Sequence, residues 1–341
     1  MEIRKLNTLR GIAALIVVIS HYSNETDLLR GSLGNGSGQL GVMLFFILSG
    51  FLMSYLYLDK KFDKENVHYY IVARIARVIP LFVLVVLISF LFQILGVTGI
   101  FFAINNIHSL LSHLMLFSGT SVLWTIPPEI QFYALFLFLW WLYFKKNGYL
   151  YSLILIIYIC LIFLKFPSPL WKVLGLDFQT YLIPSLPYFF VGIVFGRIYC
   201  TWEAPYHLRK NIFVLTLLIL PLLYPDIFSF ITGRTHQMWS DIGIFFVVSA
   251  VFFVLIFLVP EDNSLLSNPF GDFLGKISYS LYLLHVPILN LIVAPSKKFP
   301  GVFLLLFIAL SLIVAYTTYL VIEAPTRRGI RSIVPNRRMH T

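Results

Sequence analysis

Charge is what this chain has least of. Only 12% of its 341 residues are Asp, Glu, Lys or Arg, against 59% that are hydrophobic, whereas about a quarter of a soluble domain is charged. That balance excludes water as the main solvent. Cysteine is nearly absent too: Cys160 and Cys200 lie in or beside apolar blocks, without the spacing of a disulfide framework or a metal site, and are read as packing residues. A Walker-type glycine loop, a zinc-ligand pattern and a Gly-x-Ser-x-Gly elbow are all missing, so nothing supports nucleotide hydrolysis, metal catalysis or serine-hydrolase chemistry. Internal repeats and low-complexity linkers are lacking, and no segment has soluble-domain composition, so 1–341 reads as a single integral-membrane domain.

What the chain does have is apolar blocks of ~16 to 22 residues, the length that carries an α-helix across a hydrocarbon core of ~30 Å. The blocks are continuous rather than alternating, which favours helices over a barrel strand pattern, and backbone groups left unpaired in lipid allow little else. The expectation is an all-α, polytopic bundle of ten spans near 7–23, 39–58, 77–96, 126–144, 148–164, 181–199, 211–225, 239–259, 273–294 and 301–322. The net charge of +10 has no groove-reading motif around it, which argues against nucleic acid. It follows membrane orientation instead: alternate loops collect 19 and 6 of the 25 Lys and Arg residues, and the positive-inside rule then puts both termini in the cytoplasm. Arg4 and Lys5 before an apolar run also fit a secretory signal, but Arg10 and Gly11 interrupt it and no small-x-small cleavage site follows His21.

Ionisable residues inside the spans are costly and so carry a functional hypothesis by default. Arg10 and His21 are eleven residues apart, which returns to one helix face ~16 Å further along. They read either as an anion-holding Arg with a general base or acyl relay, or as a snorkelling Arg with an interfacial His. Glu129 follows Pro127 and Pro128 in a first helical turn, where a carboxylate caps free N–H groups; the alternative is that it orients a His or a sugar hydroxyl, with Gln131 and Tyr133 beside it. Ser278, Tyr282 and His285 share a face, as catalytic groups or as helix-to-helix hydrogen bonds. Arg74 and Arg77, in the loop before the third span, suit phosphates or plain anchoring. Glu323 ends the last span against the helix dipole and calls for a cationic partner. Gly192 and Gly196 form a small-xxx-small pair for close packing.

Six segments in order, LNTLRGIAALIVVISH (6–21), FFILSGFL (45–52), RIARVIP (74–80), LWTIPPEIQFY (123–133), ISYSLYLLH (277–285) and IEAP (322–325), resemble acyltransferase family 3 along the whole length of the chain. The resemblance implies a membrane-bound acyltransferase of the kind that O-acetylates O-antigens, capsules and exopolysaccharides in the bacterial inner membrane. By this resemblance Arg10 and His21 match an essential pair, Ser49 and Gly50 a Ser-Gly turn, Arg74 and Arg77 a basic pair, and Glu129, Gln131, Phe132 and Tyr133 a Glu-x-Gln-Phe-Tyr element. It departs at Asn7, where the family often has Asp, and at Pro127 and Pro128. Without a hydrolase-like extracytoplasmic domain the chain resembles the stand-alone type, which implies a lipid-linked glycan acceptor or a separate extracytoplasmic transferase.

The resulting expectation assigns catalysis to His21 and Glu129 and donor binding to Arg10, Arg74 and Arg77. Substrate or structural support falls to Ser49, Gly50, Trp124, Gln131, Tyr133, Tyr282, His285 and Glu323. No metal or permanently bound cofactor is expected, and acetyl-CoA is the acyl donor. His21, oriented by Glu129 or another buried group, takes the acetyl group or deprotonates the acceptor. The rival readings are a transporter of a glycan or acylated metabolite, which also buries Arg, His and Glu, and a membrane sensor or scaffold with inert polar residues.

Overall fold

The computed structural model describes residues 3–145, 182–239 and 241–332, together with 152, 153, 156 and 157. Every regular element among them is helical. The first five helices are α1 (Arg4–Thr26), α2 (Gly38–Met53, prolonged by the π-helical turn Ser54–Leu58), α3 (Lys64–Ile94), α4 (Ile107–Leu114) and α5 (Ile126–Phe144). Then come α6 (Leu182–Thr201), α7 (Pro225–Thr232), α8 (Ile242–Phe253, prolonged by Val254–Leu258), α9 (Pro269–Ser296), α10 (Pro300–Thr318, prolonged by Tyr319–Glu323) and α11 (Ala324–Arg331). Side-chain caps set several starts: Asp63, Asn106, Asp241 and Asn268 each accept from a backbone N–H of the turn that follows.

Among the described residues, seven helical stretches are long and apolar enough to cross a membrane. They are α1, α2, α3, α5 with the turn before it, α6, α9 and α10 with α11. The described residues therefore show seven of the ten expected spans, or eight if a bent helix pair counts as one. The segment expected to be the seventh span is broken: Asn211–Leu222 meets α7 at 89°, because Pro225 disfavours a helical Tyr224, which is extended, and starts the next helix at its first turn. The eighth is the shorter apolar helix Ile242–Leu258. The fifth, 148–164, falls almost wholly outside the described residues. α3 begins at Lys64 rather than near 77, since Asp63 caps it, so Arg74 and Arg77 stand within a helix and not in a loop. Cys200 is exposed at the end of α6 rather than packed; Cys160 lies outside the described residues.

Polar ties gather the helix ends into two sets. At one end, Lys5 Nζ donates to the Ile256 and Val259 carbonyls at 2.6 and 2.8 Å and lies 3.0 Å from Glu261. Arg4 pairs with Asp272, Arg197 with Asp59, and Trp140 donates to the Lys60 carbonyl. At the other end, Tyr22 donates to the Pro300 carbonyl, Asn35 to Asp226, and the Gly38 N–H to Ser20. The first end carries the start of α1, the ends of α2, α5, α6 and α8, and the starts of α3 and α9; it is the basic end.

Small residues let the helices approach. Gly11 and Gly275 bring α9 onto α1, and Gly41 brings α2 onto the Ala13 carbonyl. Gly50, Gly192 and Gly196 seat α6 against α2, where an added methyl would overlap backbone of the facing helix. The small-xxx-small reading of Gly192 and Gly196 holds. Gly192→Leu should cost about 1–3 kcal/mol through overpacking, read as a lower thermal midpoint in detergent and reduced accumulation in the membrane.

Candidate active site

A cavity opens among α1, α2, α3, α5 and α9, nearer the basic end. Arg10, Arg77, Glu129, Tyr133 and Ser49 line it. The Glu129 carboxylate accepts from Ser49 Oγ and from Tyr133 OH, each at 2.5 Å. These bonds, and not the free N–H groups of its own first turn, hold it, so the carboxylate faces the cavity wall rather than acting as a helix cap. Arg10 and Arg77 make no hydrogen bond or ion pair among the described residues. Two guanidinium groups against one carboxylate leave the walls positive, and the planar forks fit phosphate oxygens. Arg74 is set back from this cavity. Its guanidinium lies over the Tyr57 and Tyr133 rings at 5.6 and 5.9 Å and donates to Tyr57 OH at 3.4 Å, with Nε buried and unpartnered. It acts on the cavity through Tyr133.

A second cavity opens toward the other end. His21, Ser20, Asn24, Gln39 and Trp124 line it. His21 Nδ1 lies 2.9 Å from the Val17 carbonyl, and His285 Nδ1 lies 2.8 Å from the Tyr282 carbonyl. A carbonyl oxygen only accepts, so in the neutral rings each Nδ1 carries the proton. His285 Nε2 is then a lone pair, and it sits 3.3 Å from His21 Nδ1. His21 is left with Nε2 unprotonated and unbonded among the described residues, as a base or nucleophile needs. Trp124 meets Trp239 edge-on at 5.7 Å, giving the cavity an aromatic wall.

The expected residues thus divide between two chambers. Arg10, Arg77, Ser49, Glu129 and Tyr133 share the first, and His21 and Trp124 the second, while Tyr282 lines both. Glu129 does not touch His21: the buried group beside His21 is His285, because α9 runs parallel to α1 and brings the two histidines level. Ser49 and Gly50 are not a turn but the interior of α2, one reaching Glu129 and the other admitting α6. Gln131 lines neither cavity; it donates to the Leu116 carbonyl at 3.4 Å and steadies the segment before α5. Glu323 also stands apart, accepting from Ser280 and pairing with Arg327 at 3.3 Å, which supplies its expected cation. Asn7 donates to Asp272 at 3.2 Å. Sequence reasoning missed Thr125, Tyr279, Asn24, Gln39 and Val42. Asn24 and Gln39 were visible as polar residues at span ends, but Val42 carries no signal among so many apolar neighbours.

A family model described as an acyltransferase domain matches residues 3–320. The chain belongs to acyltransferase family 3. As a member of that family with several membrane-length apolar helices, it is an integral membrane protein. It is 26% identical to a candidate O-acetyltransferase of Staphylococcus aureus strain COL, over 96% of this chain and 58% of the relative. To the O-acetyltransferase OatA of strain NCTC 8325 it is 24% identical, over 95% of this chain and 57% of the relative. The chain therefore spans under two thirds of the length of these curated relatives. No solved structure matches it.

Proposed function

We propose that this protein is a membrane O-acetyltransferase. It moves an acetyl group from acetyl-CoA on the cytoplasmic side to a hydroxyl of a cell-surface glycan on the other. The observation that carries the reading is the abutment of the two cavities at Val42 and Tyr282, with the arginines in one and His21 in the other. The basic end, where α1 starts, faces the cytoplasm by the positive-inside rule. Ten spans, the number expected from the sequence, are part of this proposal. The membrane is the inner membrane of a bacterium. Arg10 and Arg77, with Arg74 behind Tyr133, hold the coenzyme phosphates. The acceptor is a lipid-linked precursor of O-antigen, capsule or exopolysaccharide, whose sugar lies against Trp124 within reach of Asn24 and Gln39. A separate extracytoplasmic transferase is the alternative recipient of the acetyl group.

Two bond-making orders fit a neutral His21. In one, Nε2 attacks the thioester carbonyl, the C–S bond breaks and the coenzyme thiolate leaves and takes up a proton; the acyl-imidazole then acetylates the acceptor hydroxyl, whose proton is released to water. In the other, Nε2 takes the hydroxyl proton as the sugar oxygen attacks the thioester directly and passes it to the leaving thiolate. Sidedness tests the reading. Sealed inside-out vesicles supplied with labelled acetyl-CoA should form alkali-labile acetyl esters in their lumen, and right-side-out vesicles given the same donor should form none. Equal labelling of both, or steady glycan movement with no ester formed, would defeat it.

A further inference from the structure

Among the described residues, only Val42 and Tyr282 line both cavities, so the boundary they form is one apolar side chain of α2 and one ring of α9. Neither is free to move aside. The Tyr282 hydroxyl donates to the Val122 carbonyl at 2.9 Å and lies 3.1 Å from Thr125 Oγ1. Its ring meets Phe45 edge-on at 5.9 Å. Swinging the ring out would strand a buried hydroxyl and the groups that hold it. Val42 is 5% exposed, and a β-branched side chain in a helix keeps essentially one χ1 rotamer. The backbone beneath it is equally fixed, because Gly41 already lies against the Ala13 carbonyl and α2 cannot back away from α1.

We propose that Val42 and Tyr282 set the length of the acyl group the enzyme transfers, admitting acetyl and rejecting longer chains. This rests on the transfer reading above. With the coenzyme held by the arginines and the acceptor by His21, only the acyl group passes the boundary that Val42 and Tyr282 form. Its wall offers no polar group apart from the pinned Tyr282 hydroxyl. It therefore selects by size, and each added methylene in a rigid apolar gap is rejected by about tenfold or more. The bonds made and broken are those already described: the thioester C–S bond breaks and an ester forms.

The test uses membranes that contain the full-length protein and its natural acceptor, given equimolar acetyl-CoA and butyryl-CoA, with alkali-labile esters measured per unit of protein. Wild type should make acetyl esters and few butyryl esters. Val42→Ala should raise the butyryl-to-acetyl ratio by about tenfold or more, and Val42→Ile should lower it, so the proposal is read even if one variant fails to accumulate. A ratio unchanged in the variants at wild-type protein levels, or a wild type that takes both chains equally, overturns the proposal while leaving acyl transfer intact. A wild type that forms no ester from either donor overturns the transfer reading instead, and this inference with it.

Discussion

Cells carrying His21→Ala should lose acetylation of their surface glycan, as cells with an empty vector do, while the variant protein accumulates in the membrane at the wild-type level. Removing a general base or nucleophile costs about a hundredfold to ten-thousandfold in rate, so the O-acetyl content of purified polysaccharide should fall to background. The geometry makes the expectation specific. His21 lines a cavity rather than filling the core, and its Nδ1 bonds run to its own helix and to His285, so its loss removes chemistry more than packing. A sensor or scaffold with inert polar residues predicts the opposite, a change in stability with no change in acetylation. Incubation with labelled donor alone separates the two bond-making orders: label on His21 identifies the relay, and its absence in a protein that still acetylates acceptor identifies the base.

Arg10→Ala and Arg77→Ala should each raise the KM for acetyl-CoA by about tenfold to a hundredfold, the size of a lost hydrogen bond to a charged group, with kcat changed less. Arg→Lys at either position should recover part of the loss, because a lysine restores the charge but not the two-pronged geometry. Initial rates against donor concentration, in membranes with a fixed amount of acceptor, measure this. The contrast with Glu129 is informative. Its carboxylate is tied to Ser49 and Tyr133, so Glu129→Gln tests whether the charge in the first chamber matters for the donor or only for holding those two side chains. A transporter of a finished glycan has no reason to depend on Arg10 for coenzyme affinity, and unchanged donor kinetics in both arginine variants would speak for it.

Much of this protein is visible in one dimension. Solvent choice is an additive property of composition, so the scarcity of charge and the length of the apolar blocks already dictate membrane helices. Helical period does the same for residues on one element: Ser278, Tyr282 and His285 do share a face, as spacing requires. Glu323 does not end its helix as the spacing suggested, because α10 runs on through Tyr319–Glu323 into α11; its cation, Arg327, lies one turn further along that same helix. Boundaries were less legible where a cap lies in polar sequence, as at Asp63, or where a proline breaks an apolar block, as at Pro225.

The three-dimensional packing alone decided who faces whom. Glu129 and Ser49 are 80 residues apart in the chain, and His21 and His285 are 264 apart; no periodicity links either pair. Those meetings depend on which helices run parallel and how closely they approach, and this in turn depends on a few glycines whose missing side chains let one backbone lie on another. So composition and spacing named Arg10, His21 and Glu129 as costly residues in lipid, while only the packed bundle divided them between two chambers and put Val42, an ordinary apolar residue by every local measure, on the wall between them.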